Sequence, residues 1–165
     1  MKRQNLLPSG EVDICPPIGP VDKCPPKLDN RYYYVCVILD LFSRKVISYK
    51  ISKKNSTQLV TSTFKIAWKH RNPEAGLIFH SDRGAQYTSY RFQQLLHEHM
   101  VVQSFSNSGR PHDNAVAESF FASFKKEELY RRDYASETAF KKGIDSYIEF
   151  YNTRRPHSTL KNRTP

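Results

Sequence analysis

Apolar and polar positions alternate along this chain in blocks short enough to assign one by one. YYYVCVILDLF, from Tyr32, is almost continuously apolar and predicts a largely buried strand. KVISYKIS alternates with period two, as a strand with one wet face does, and SRK between the two runs predicts a hairpin turn. NSTQLVTSTFKIAWKHRN sets Leu59, Phe64, Ile66, Ala67 and Trp68 near helical spacing, with Asn55 or Ser56 placed to cap a helix. GLIFH reads as a short buried strand, TSYRFQQLLHEHM as a helix and VVQSF as another short strand. From Asp113 to Arg154 two more helices are predicted, parted near Tyr134 to Ser136. Strands first, then helix and strand in alternation, then helices: this order predicts a mixed α/β domain.

The first thirty residues do not follow the pattern. PSGEVDICPPIGPVDKCPPKLDN holds six prolines and two near-copies of Val-Asp-x-Cys-Pro-Pro, beginning at Val12 and Val21. That is loop composition. The expected division is a proline-rich segment over residues 1–28 and a core over residues 29–165. At 165 residues the chain is long enough for one domain with its own core and short for two.

Charge adds a partner. With 26 Lys plus Arg against 16 Asp plus Glu, the net charge is +10 and the pI about 9.6, which favours a polyanion such as nucleic acid. Cys15, Cys24 and Cys36 are an odd number without a signal-peptide pattern, which argues against a secreted disulfide framework. Cys15 and Cys24 lack the short paired spacing and nearby histidines of a structural zinc site. No apolar run approaches the length of a membrane span. A soluble, reducing, cytoplasmic setting is expected.

LIFHSDRGAQYTS runs an apolar strand straight into Asp82. One reading makes Asp82 a cap for the next helix. The other makes the strand a rigid post that holds the carboxylate at the carboxyl edge of a sheet, where open α/β folds place their ligands. A partner is available on GRPHDNAVAESFFASFKKEELYRR, which opens with a Gly-Arg-Pro turn, has Asp113 or Asn114 as a cap and sets Ala117, Phe120, Phe121 and Phe124 along an apolar side. Glu118 lies in its second turn, and 35 residues separate it from Asp82. Taken alone, a helical glutamate is ordinarily a solvated surface residue.

DLFSRKVI at Asp40–Ile47, HSDRGAQYTS at His80–Ser89, SNSGRPHDNAVAESFFASFKKEEL at Ser106–Leu129 and YIEFYNTRRPHSTL at Tyr147–Leu160 occur in this order. Together they resemble the integrase-like core of bacterial insertion-sequence DDE transposases, within the retroviral integrase superfamily. The resemblance spans roughly Asp29 to Pro165. It implies a ribonuclease-H-like fold, with a mixed five-stranded sheet flanked by helices. It also implies metal-dependent cleavage and strand transfer of transposon ends, double-stranded DNA as partner, a homo-oligomer, and no membrane. Asp82 and Glu118 match the second and third acidic positions of that family. Hard Mg²⁺ or Mn²⁺ ions prefer oxygen ligands, and two ions roughly 3.5–4 Å apart can activate an attacking hydroxyl and stabilise the leaving oxygen. Three carboxylates serve two metals.

The first acidic position departs from the family pattern. Asp22 lies eighteen residues before Asp40, the interval the family uses, which makes Asp22 the first choice for both catalysis and metal binding. Its flanks, Pro20, Pro25 and Pro26, are wrong for a central strand. Asp13, in the upstream copy of the repeat, is a second candidate with a spacing nine residues longer. With neither in place, the chain becomes a catalytically inactive DNA-binding relic of the same fold. Asp40 itself reads as structural, stabilising the turn before Ser43 and Arg44.

Lys125 follows Glu118 by seven residues, two helical turns along the same face, and the family places a DNA-contacting cation there. Asn152, Arg154, Arg155 and His157 lie where a helix ends before Pro156. They read either as phosphate contacts or as cations favoured at a helix C-terminus. Gly84 is expected to permit the turn after Asp82. His80 is expected to pack, and His112 precedes the glutamate helix at a position that resembles one in the family. Recognition of element ends is expected from a separate helix-turn-helix polypeptide or a missing N-terminal region.

Overall fold

In the computed structural model, residues 11–15, 32–106 and 114–165 are described, residues 11–15 by their backbone. The elements are β1 (Glu11–Cys15), β2 (Tyr34–Asp40), β3 (Val46–Ser52), α1 (Thr57–Arg71), β4 (Ile78–Ser81), α2 (Tyr90–Glu98), β5 (Val102–Phe105), α3 (Ala115–Phe124) and α4 (Glu137–Thr153). A π-helical turn, Lys125–Leu129, continues α3, and a 3-10 turn, Ser158–Leu160, follows α4. The strands make one sheet in the order β3-β2-β1-β4-β5. Each element predicted from Tyr32 onward is present, with ends displaced by a few residues.

β1 corrects the expectation that the first thirty residues are loop. It is the middle strand of the sheet, antiparallel to β2 with Asp13 opposite Leu39, and parallel to β4 with Asp13 opposite His80. It therefore belongs to the sheet although it lies ahead of the expected boundary at residue 28. Prolines cannot donate to a ladder, but Glu11 to Cys15 contain none, and the first proline after them is residue 16. Pairing on both sides satisfies the backbone of five residues that composition alone assigns to a loop.

β2 divides two cores by the period of a strand. Val35, Val37 and Leu39 join Phe120, Phe121, Phe124, Ile144 and Tyr147 from the α3 and α4 side. Cys36 and Ile38 point the other way, into the cluster of Leu59, Val60, Phe64, Phe79, Phe92 and Leu96 under α1 and α2. Burial on both faces explains the continuous apolar run. It also pushes the Cys36 thiol up to about 12.

The predicted cap holds for α1, an unpredicted cap serves α4, and the predicted cap of α3 is not made by Asn114. Ser56 Oγ accepts from the Leu59 N–H at 3.3 Å, and α1 closes on Asn72 with φ 42°. Ser136 does the same for α4 through the Ala139 N–H at 3.1 Å. Asn114 precedes α3 without a side-chain cap bond, and its buried Oδ1 has no partner among the described residues.

Asp40 holds the β2–β3 turn, as expected of a structural carboxylate. Its Oδ1 accepts from the N–H groups of Phe42 at 3.0 Å and Ser43 at 2.9 Å, and Arg71 pairs with its other oxygen. Arg44 completes the turn at φ 65°.

Candidate active site

β4 ends at Ser81, and Asp82 follows it, half-buried, beside the carboxyl end of β1. Asp82 Oδ1 accepts the Gly84 N–H at 2.9 Å, and the Ser81 hydroxyl donates to the Asp82 carbonyl at 3.0 Å. A cap for the next helix it is not: α2 starts at Tyr90, with Ser89 in the cap position. Gly84 serves the site by its size. Its φ is outside the left-handed region, yet a Cβ there would stand 2.9 Å from Asp82 Oδ1. The expected reason, conformational freedom in a turn, gives way to close approach.

Glu118 stands exposed on α3, whose other side sends Ala117, Phe120, Phe121 and Phe124 into the core. α3 packs against β1, and β1 pairs with β4, so the middle strand lies between the glutamate helix and the strand that runs into Asp82. Among the described residues, neither Asp82 nor Glu118 is paired with a Lys or Arg. Two unneutralised oxygen donors suit a hard divalent cation, the set such an ion prefers. Among the described residues no three acidic, His or Cys side chains gather into a metal cluster. Asp13 occupies the β1 position opposite His80, two residues ahead of Asp82 along the parallel pair. Asp22 and His112 lie outside the described residues.

His80 is structural, as expected. Its Nδ1 lies 3.0 Å from Ser104 Oγ and its Nε2 3.1 Å from Ser106 Oγ, which engages both ring nitrogens on the β5 side.

Lys125 sits where α3 passes into the π turn, half-buried, on the turn of helix the seven-residue spacing predicts. The tail residues fall into different roles. Asn152 bridges to the edge of β3, accepting from the Val46 N–H and donating to the Val46 carbonyl, both at 2.9 Å. Arg155 grips Glu127 through Nε at 2.8 Å and Nη2 at 2.7 Å, and its Nη2 reaches Ser123 Oγ at 3.1 Å. This guanidinium, aided by the Tyr147 hydroxyl at 3.0 Å, holds the Glu127 carboxyl below the usual range. His157 is buried edge-on to Tyr151 at 4.6 Å. Burial, then the Arg155 charge, lowers its pKa, and its Nε2 has no partner among the described residues. Arg154 is exposed, with no ion pair among the described residues.

Sequence reasoning missed the Glu127–Arg155–Ser123 clamp that ties the glutamate helix to the tail. The one available signal was a pair of glutamates in KKEEL, which local periodicity cannot match with an arginine 28 residues away. It also missed the π turn, a helix irregularity often found beside functional sites.

Sheet order and a glutamate helix packed on the middle strand give the fold of an integrase core. Residues 13–111 match the family model described as integrase core domain, and residues 99–165 match a second model of the same description. The chain belongs to the integrase core domain family. It is 38% identical over 138 residues to the InsK protein of insertion sequence IS150 from Escherichia coli K12, covering 84% of this chain and 49% of that protein. It is also 38% identical over 133 residues to the transposase of insertion sequence IS904 from Lactococcus lactis, covering 80% of this chain and 53% of that one. The chain thus spans about half the length of these curated relatives. The catalytic core domain of HTLV-2 integrase, solved in complex with magnesium, shares the fold at TM-score 0.68 and 18% identity, covering 98% of this chain and 96% of that one. No helix among the described residues is long and apolar enough to cross a membrane.

Proposed function

We propose that this chain is the catalytic core of a DNA transposase, a polynucleotidyl transferase that cleaves and joins the ends of an insertion-sequence element. The observation that carries the reading is that β1 is packed by α3, which carries Glu118, and paired with β4, which runs into Asp82, so one central strand links both carboxylate-bearing segments. Gly84 steadies one oxygen of Asp82 and leaves the other for a ligand. Glu118 extends from a helix whose rotation is fixed by four buried core residues on its far side. A third carboxylate comes from the amino-terminal repeat: Asp22 has the family spacing, and Asp13 has a place in the middle strand. The strand in that place favours an active enzyme over a relic. Mg²⁺ or Mn²⁺ bound by these carboxylates, two ions on the family pattern, supplies the Lewis acidity that in-line phosphodiester displacement needs.

Lys125 contacts phosphates of duplex DNA near the site, Arg154 is a further cation for DNA, and the +10 charge draws the polyanion in. The protein acts as a homo-oligomer. End recognition belongs to a helix-turn-helix region outside this sequence or on another polypeptide.

Supplied with pre-cut element ends and Mn²⁺, the protein is expected to join them to a second duplex. Glu118→Gln abolishes joining and leaves DNA binding largely intact. Asp13→Asn and Asp22→Asn identify the first carboxylate by which one stops the reaction. A wild-type protein that binds DNA but neither nicks nor joins it is the relic.

A further inference from the structure

Beyond the carboxylates, a groove of about 600 Å³ opens between the Glu127–Arg132 stretch and α4. Ser146 and Phe150 line it from one face of α4, four residues apart, and Arg154 lines it from the residue that caps the end of that helix. Its volume falls in the range of ligand sites, roughly 300–1,000 Å³. Both signs of charge are present, but the carboxylates are already answered. Glu127 is held by Arg155 and Tyr147, and Glu128 accepts from the Tyr134 hydroxyl at 2.9 Å and pairs with Arg132 at 3.3 Å. Arg131 and Arg154, both exposed, have no ion pair among the described residues. Beside them Phe150 is 37% exposed, although it is a large apolar ring on an otherwise well-packed helix.

Two uncommitted guanidiniums beside an exposed ring form the combination that binds single-stranded nucleic acid, cation for phosphate and π-face for base. A duplex keeps its bases stacked inside and offers a ring nothing to stack on; an unpaired base does. We propose that this groove holds an unpaired stretch of DNA strand, with Arg131 and Arg154 on phosphates and a base against Phe150. The site rests on the proposed function, since the strand it holds is the one leading to the reacting phosphate. Glu127 lies nine positions beyond Glu118, through α3 and into the π turn, about 14 Å at the rise of an α-helix.

The experiment is fluorescence anisotropy of a labelled oligothymidylate against the full chain, over a range of salt, with a duplex of the same length in parallel. Arg131→Ala with Arg154→Ala is expected to lower the log–log salt slope for the single strand by about 1.4, at about 0.7 per phosphate. Phe150→Ala is expected to weaken the single strand at least about fivefold and leave the duplex unchanged. Thermal melting checks that both variants fold, which their exposure favours. The proposal is overturned if Phe150→Ala leaves single-strand affinity unchanged, if both substitutions weaken duplex and single strand alike, or if polyglutamate displaces the oligonucleotide at matched charge, which points to an acidic protein partner. Glu118→Gln separates this site from the wider reading. Single-strand binding that survives Glu118→Gln, in a protein whose wild type never joins ends, keeps the groove and rejects the transferase.

Discussion

Replacing Gly84 by alanine adds one methyl group at the place where the site is tightest. The new Cβ stands 2.9 Å from Asp82 Oδ1, 3.3 Å from Gln86 Oε1 and 3.4 Å from Tyr87 Cδ2, and real Cβ atoms essentially never come within 3.0 Å. The Gln86 side chain can swing aside, whereas Tyr87 is fully buried and cannot. Asp82 must therefore retreat by about 0.5 Å, the tolerance within which a working site holds its groups. In doing so it loses the 2.9 Å bond from the Gly84 N–H. The backbone is not strained by alanine here, because φ at Gly84 is outside the left-handed region. A less flexible unfolded chain contributes about 0.4–1 kcal/mol, which offsets part of the roughly 1.5–3 kcal/mol of a hydrogen bond to a charged group. Net destabilisation of about 1 kcal/mol lowers the melting temperature by about 2–4 °C. Function suffers more: metal affinity is expected to fall about 10–100-fold and strand joining about 100-fold. Calorimetric titration with Mn²⁺, run on wild type, Gly84→Ala and Asp82→Asn with thermal melts of each, reads all of this. A Gly84→Ala protein that binds Mn²⁺ within about twofold of wild type would refute the assignment of Asp82 as a positioned ligand.

Lys125→Ala is expected to lower the log–log salt slope of duplex binding by about 1, whereas Arg155→Ala leaves the slope in place and costs about 2 kcal/mol of stability, because its guanidinium is committed to Glu127. Equal loss of slope in both would put Arg155 on a phosphate. Gly143→Ala, despite the better helix propensity of alanine, is expected to destabilise by about 1–3 kcal/mol in urea melts, since its Cβ would lie 2.7 Å from Tyr134 Cε1 and 2.8 Å from Glu128 Oε1. A stabilised Gly143→Ala protein contradicts this packing. Below pH 6.5 the unfolded His157 takes a proton that the folded ring, desolvated and facing Arg155 and Arg44, resists. Its contribution is therefore present above about 6.5 and lost as pH falls through the lowered folded value. Urea melts at pH 7.5 and 5.5 are expected to show that loss in wild type and a flatter profile in His157→Gln. Glu127, whose carboxyl is also lowered, acts in a separate window: its stabilisation is present above the ordinary carboxylate value of about 4.3 and fades only in more acid solution.

What the amino-acid sequence by itself determined is whatever repeats over a few residues or stands at a recognisable interval. The two-sided burial of β2, the α1 stripe with its Ser56 cap, the turn role of Asp40 and the ending of β4 on Asp82 were all legible. The 35-residue interval from Asp82 to Glu118 pointed to a pair of segments that the fold then packed together through β1. The tertiary structure alone decided three things: that Glu11–Cys15 is the middle strand, that Arg155 is tied to Glu127 while Arg154 is not, and that Gly84 is small for the sake of Asp82. The reason is common to all three. Periodicity records which face of an element is buried, because burial acts on every turn or every second residue. Partners 25 or more residues apart, such as Asp13 with Leu39 or Glu127 with Arg155, leave no period behind; they meet only once the sheet and helices have packed.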